Sequence, residues 1–129
     1  MISGISQTTA LIVVASGGAL GAALRFLTVV SSAPWLPTFP LGTLLVNVLG
    51  CLLAGLAFPW LTAMSPGYAF LIVGFCGGFT TMSAFSLDFW QLLTEAAYAR
   101  AAIYFAVTLA LSLLALIAGL EISRLLLRA

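Results

Sequence analysis

The chain alternates between long apolar stretches and short breaks marked by proline, glycine or charge. A helix needs about 20 mainly apolar residues to cross the hydrocarbon core of a bilayer. Four stretches are long enough: Leu11 to Val30, Leu41 to Leu61, Tyr68 to Trp90 and Ala101 to Leu125. Ser31 to Pro40 breaks the pattern with Pro34, Pro37 and Pro40, Pro59 to Gly67 with Pro66-Gly67, and Asp88 to Arg100 with most of the charge outside the C-terminal tail. The pattern therefore predicts an all-α chain of four transmembrane helices forming a single domain over residues 1–129, with no linker and nothing left for a soluble domain. Met1 to Ala10 has no basic side chain, so the first span reads as a retained helix rather than a cleaved signal. No strict repeat of 20 to 50 residues is present.

Composition identifies the solvent. Hydrophobic residues make up 64% of the chain and charged residues 5%, against roughly 25% charged in ordinary soluble domains. This is the composition of an integral membrane protein. The charged side chains are Arg25, Asp88, Glu95, Arg100, Glu121, Arg124 and Arg128, and none lies between Phe26 and Leu87. A net charge of +1 leaves no footprint for nucleic acid. Orientation in a membrane follows the excess of Lys and Arg on the cytoplasmic side. With four spans, Arg124 and Arg128 fall on one side and Arg100, with Arg25 if it counts, on the other. So weak a bias permits insertion in both orientations and an antiparallel homodimer, or a fixed topology read from subtler cues.

The third span contains GFCGGFTTMSAFS, Gly74 to Ser86. Gly77-Gly78 followed by Thr80, Thr81 and Ser83 makes a poor continuous helix, because each glycine costs about 1 kcal/mol relative to alanine. A break near the middle of the helix is one reading; a small-residue packing face on an intact helix is the other. Broken helices at membrane depth expose carbonyls that lipid cannot satisfy, and such carbonyls are good ligands for a hard cation such as sodium.

Three further features bear on a polar pathway. Gly17, Gly21 and Arg25 recur every four residues, a small-residue face leading to a guanidinium that either lines an anion-attracting vestibule or snorkels to the interface. Asn47, one helical turn after Thr43, offers amide donors without a charge. Tyr104, Thr108 and Ser112 recur every four residues on the fourth span, a ladder of hydroxyls that serves either as interhelical glue or as a track.

GGALGAALRF (Gly17 to Phe26), PLGTLLVNVLG (Pro40 to Gly50) and GFCGGFTTMSAFS together resemble the Fluc/CrcB fluoride ion channels, in order and at family spacing. The resemblance covers essentially the whole chain. It implies a dual-topology antiparallel homodimer in the cell (inner) membrane, with two fluoride pores and one structural Na⁺ where the broken third helices cross. The carbonyls matching that sodium site belong to Gly77 and Thr80, two from each copy, with Thr81 nearby. Asn47 matches the pore asparagine, and Phe85 the second of a pair of pore phenylalanines. Met82 stands where the family has the first phenylalanine. A ring presents a positive edge to an anion; the thioether of Met82 is a partial substitute, so conduction at a reduced or altered rate is expected. The resemblance also places Tyr104, Thr108 and Ser112 on the polar track, Asp88 near a pore entrance and Arg25 in a vestibule or helix anchor.

The implied function is passive, selective export of fluoride from the cytoplasm. A small multidrug-resistance-type, proton-coupled transporter is the rival, but such chemistry wants a carboxylate inside the bundle, and the first three spans carry none before Asp88. An enzyme is not expected: the chain has no His, Cys51 and Cys76 have no base partner, and no nucleotide-binding Gly-x-x-x-x-Gly-Lys pattern occurs. A passive assembly subunit with no ion flux is the remaining possibility.

Overall fold

A computed structural model describes residues 6–63 and 65–129. The expectation for Met1 to Ala10 therefore meets structure only from Ser6 onward, and Met64 of the second break also lies outside the described residues. Among the described residues the secondary structure is entirely helical. Four helical runs are long and apolar enough to cross a membrane: Gln7–Ser32, Leu41–Trp60, Pro66–Thr94 and Tyr98–Arg128.

Caps and prolines set the ends. Helix α1 (Gln7–Ser32) starts where the Ser6 hydroxyl accepts the Thr9 amide at 3.2 Å, satisfying an amide the first turn leaves free. The proline-bearing segment that follows leads into α2 (Leu41–Ala57), which tightens into a 3₁₀ turn at Phe58–Trp60 around Pro59. The third run opens with the short turn α3 (Pro66–Tyr68), capped by the Ser65 hydroxyl on the Tyr68 amide at 3.2 Å. It continues as a π-helical stretch, Ala69–Cys76, and the short turn α4 (Gly77–Phe79). Thr80 and Thr81 are extended, with φ/ψ of −76/157° and −152/116°, before α5 (Met82–Thr94) resumes. The last helix, α6, spans Tyr98–Arg128.

One boundary needs correction. The cluster of charge from Asp88 to Arg100 reads as a break, yet α5 runs past Asp88 to Thr94 and only Glu95 to Ala97 lie between helices. The reason is that the Asp88 carboxylate points inward and finds hydroxyl donors there. The turn closes with the Ala96 amide on the Leu93 carbonyl and the Ala97 amide on the Leu92 carbonyl, and Ala96 takes φ 54°. That is the left-handed helix cap that glycine usually fills.

In hydrocarbon, helices gain little from burying apolar side chains and associate where small residues let backbones meet. A methyl at Gly17 or Gly21 of α1 would strike the carbonyl oxygens of Phe70 or Phe75 in the third run. Between α2 and α6 the same role falls to Gly55 and Gly119, the latter facing the Leu52 carbonyl. These contacts pack α1 on the third run and α2 on α6. Leu44, Phe85, Leu92, Ala101 and Tyr104 fill the interior between α2, α5 and α6. Large apolar side chains such as Leu11, Phe26, Leu87, Trp90 and Leu113 face outward, as a lipid solvent requires.

Candidate functional site

The polar chemistry gathers where the third run departs from helix. Thr80 turns its hydroxyl back to the Cys76 carbonyl at 2.8 Å. The Thr81 hydroxyl accepts the Ala84 amide at 3.1 Å and so starts α5. Asn47, half-buried on α2, pairs with the backbone of Thr81 at both ends of its amide. Its Oδ1 accepts the Thr81 N–H at 2.7 Å and its Nδ2 donates to the Thr81 carbonyl at 3.2 Å. One hydrogen of Nδ2 remains for another acceptor.

A groove of about 220 Å³ opens beside this pairing. It brings together Asn47, Met82, Phe85, Thr108 and Ser112 with Cys51 and the two threonines. Phe85 is buried at 3% exposure and packs on Tyr104 and Phe105, with ring centroids at 5.1 and 5.9 Å. Met82, at 67% exposure, stays outside the apolar interior. Thr108 Oγ1 and Ser112 Oγ are buried without a hydrogen-bond partner among the described residues. Helical residues normally return such hydroxyls to a carbonyl of the preceding turn; these two do not.

Tyr104, though on the same ladder, does not line that groove. Its side chain is fully buried, edge-on to Phe39 at 5.6 Å, and its hydroxyl donates to Asp88 Oδ2 at 3.2 Å. The buried Thr43 hydroxyl donates to the same oxygen at 2.6 Å. Asp88 in turn lines a second groove of about 200 Å³ with Thr38, Phe39, Gln91 and Glu95. The Asp88–Tyr104 bond thus lies between one groove and the packing around Phe85 that borders the other. Arg25 lines neither groove; half-buried, it reaches Thr80, with Nη1 donating to the carbonyl at 3.5 Å.

Among the described residues no three His, Cys, Asp or Glu cluster in a way that could hold a metal. Two features escaped the sequence: the double pairing of Asn47 with Thr81, and Ser123, buried on α6 with its hydroxyl unpartnered among the described residues.

A family model described as CrcB-like protein, Camphor Resistance (CrcB), matches residues 12–120. The chain belongs to the CrcB family. Among curated relatives, a protein of Nitrobacter winogradskyi is 44% identical over 122 residues, 90% of this chain and 96% of its own length. One from Cereibacter sphaeroides is 45% identical over 118 residues, covering 90% and 95%. One from Rhodospirillum centenum is 46% identical over 120 residues, covering 88% and 94%. Each of these relatives is named a fluoride-specific ion channel. The CrcB match takes in both the extended pair Thr80-Thr81 and the hydroxyls of α6.

Proposed function

We propose that the chain is a fluoride channel of the multi-pass membrane type, exporting fluoride passively across the inner cell membrane. The observation that carries this reading is that Thr108 and Ser112, whose buried hydroxyls are unpartnered among the described residues, line one groove with Asn47 and Phe85. The names of the curated relatives support it.

Fluoride is small and strongly hydrated, so a pore that passes it must replace water with close donors in a space too tight for chloride. Hydroxyl and amide hydrogens at Thr108, Ser112 and Asn47 are donors of that kind, and none of them needs to lose a proton. The edge of Phe85 adds a weakly positive surface without a charge that would trap the ion. Met82 takes the place beside it. Asp88, with its donors Thr43 and Tyr104, stands at the entrance. Weak acid HF crosses membranes and dissociates inside; an inside-negative potential then favours anion exit by about 2.3 kcal/mol per 100 mV. No energy source beyond that is required, and the reading includes no enzymatic step.

The reading includes an antiparallel homodimer with a sodium ion held by the Gly77 and Thr80 carbonyls of two copies. The backbone fits a hard cation. The Thr81 amide, which would close a helical turn on the Gly77 carbonyl, is given to Asn47, and the extended Thr80 turns its carbonyl out of the helix. Gly77 is exposed on the single chain. Sodium bound there would neutralise carbonyl charge where two copies meet.

The deciding experiment loads liposomes containing the purified protein with fluoride or chloride and follows release after adding a potassium ionophore. Fluoride loss with chloride retained is the expected result. Retention of both ions by folded protein would overturn the channel reading.

A further inference from the structure

We propose that Asn47 is a positioning residue for the cation-binding carbonyls, acting through the peptide of Thr81. This rests on the reading above that Gly77 and Thr80 hold a cation.

Asn47 and Thr81 are 34 positions apart, and their two hydrogen bonds form a closed amide pair. Thr81 offers one donor and one acceptor on its main chain, and only a side-chain amide presents the complementary acceptor and donor side by side. The donor half of that pairing governs the break. In a continuous helix each N–H bonds the carbonyl four residues earlier, so the Thr81 N–H belongs to the Gly77 carbonyl. Held by Asn47 Oδ1 at 2.7 Å, it is unavailable, and the Gly77 oxygen keeps its lone pairs. Thr80, extended at ψ 157°, turns its carbonyl away from the helix axis, where its hydrogen-bond donor is Arg25 Nη1 at 3.5 Å.

Three amides around the break already have acceptors. Thr80 N–H returns to the Cys76 carbonyl at 2.9 Å, Thr81 N–H goes to Asn47 and Ala84 N–H to the Thr81 hydroxyl. None of these three is left for the Gly77 carbonyl. In a medium without water, an unpaired carbonyl costs free energy that a helix would recover by re-forming its turn. Asn47 blocks that recovery. Remove its acceptor, and the Thr81 N–H is free to close on Gly77, joining α4 to α5 and withdrawing one of the two carbonyls from the cation.

Asn47 thereby connects two functions through one side chain. Its Oδ1 sets the cation site, and the same residue lines the groove with Thr108 and Ser112, with one Nδ2 hydrogen left to donate.

The test measures thermal unfolding of the full-length purified protein against sodium concentration, with N-methylglucamine replacing sodium at constant ionic strength. The parent, Asn47→Leu and Asn47→Asp are compared. Leucine removes the acceptor at similar volume; aspartate keeps it for the Thr81 N–H. The sodium concentration that gives half of the stabilisation is expected to rise at least tenfold in Asn47→Leu and to stay within about threefold of the parent in Asn47→Asp. A purely structural role lowers the unfolding temperature of Asn47→Leu with the half-saturating sodium unchanged, and that result overturns the proposal. If Asn47→Leu does not fold, Asn47→Ala takes its place, since it removes the same acceptor, and the same two outcomes decide. A parent indifferent to sodium while conducting fluoride removes the cation site and this proposal, yet leaves the channel standing. A sodium-stabilised parent without flux does the reverse.

Discussion

Neighbouring glycines on α1 offer a test of how the first span is held against the third. Gly17 and Gly18 lie side by side in one helix, so replacing either by alanine gains the same helical preference, about 1 kcal/mol. Their surroundings differ. A methyl on Gly18 would sit 3.7 Å from the Gly74 carbonyl oxygen, an ordinary contact. A methyl on Gly17 would press on the Phe70 carbonyl oxygen, with the Phe75 nitrogen at 3.0 Å and the Phe70 carbonyl carbon at 3.2 Å. All three are backbone atoms and cannot rotate aside. To restore the 3.4 Å at which ordinary contact begins, the two spans must part by about 1 Å, and overpacking of that kind costs about 1–3 kcal/mol.

The upper part of that range applies, because the strain is shared by two helical backbones instead of one flexible side chain. Gly17→Ala should therefore be about 2–3 kcal/mol less stable than Gly18→Ala, roughly a 30- to 160-fold difference in the unfolding equilibrium. The assay is unfolding by sodium dodecyl sulfate in mild detergent micelles, followed by the fluorescence of Trp35, Trp60 and Trp90. Equal midpoints for the two variants would refute the reasoning, since they share every term except the contact.

Other outcomes follow from single contacts. Tyr104→Phe keeps the ring against Phe85 and Phe39 but removes the hydroxyl that donates to Asp88. A hydrogen bond to a charged partner is worth about 1.5–3 kcal/mol, so stability should fall by that order in the parent and by under about half as much in an Asp88→Ala background; equal losses in both would show that the bond contributes nothing. Met82→Phe should leave folding unchanged, because Met82 is exposed, and alter the rate of fluoride release several-fold. Unchanged flux would remove Met82 from the pathway. Ala96→Gly relieves the left-handed backbone between α5 and α6 and should stabilise the protein by about 0.5–1 kcal/mol, after the entropy glycine adds to the unfolded chain. Loss of stability in the same detergent assay would mean the turn is not formed as described.

The four spans were legible because membrane thickness converts directly into a count of apolar residues. Their ends were less so. Ser6, Ser65 and Thr81 set helix starts through hydroxyl-to-amide bonds that a hydropathy pattern does not carry. Asp88 was misplaced for a related reason: charge signals a loop unless donors wait inside, and Thr43 and Tyr104 lie 45 and 16 positions away. Thr108 and Ser112 were legible together because their spacing equals one helical turn, whereas Tyr104, one turn earlier, was drawn off the groove by Asp88. The π-helical stretch Ala69–Cys76 left no trace in a uniformly apolar run, since changing the hydrogen-bond register from four to five residues alters no residue type.

Gly77 separates the packing of one chain from the packing of two. A methyl there would find only the Ile72 carbonyl oxygen at 4.0 Å, so within a single chain Gly77→Ala costs no contact and gains up to about 1 kcal/mol of helical preference. If the proposed homodimer brings a second backbone against this exposed position, the same methyl stands where two copies must approach. Folding and assembly should then respond in opposite directions: unfolding of the dilute variant in detergent no easier than in the parent, and the dimeric fraction in liposomes reduced at least tenfold by single-molecule subunit counting. A variant that dimerises as well as the parent would place the contact between copies elsewhere. It would also detach the Gly77 carbonyl from any site built at that contact, whatever Asn47 does to free it.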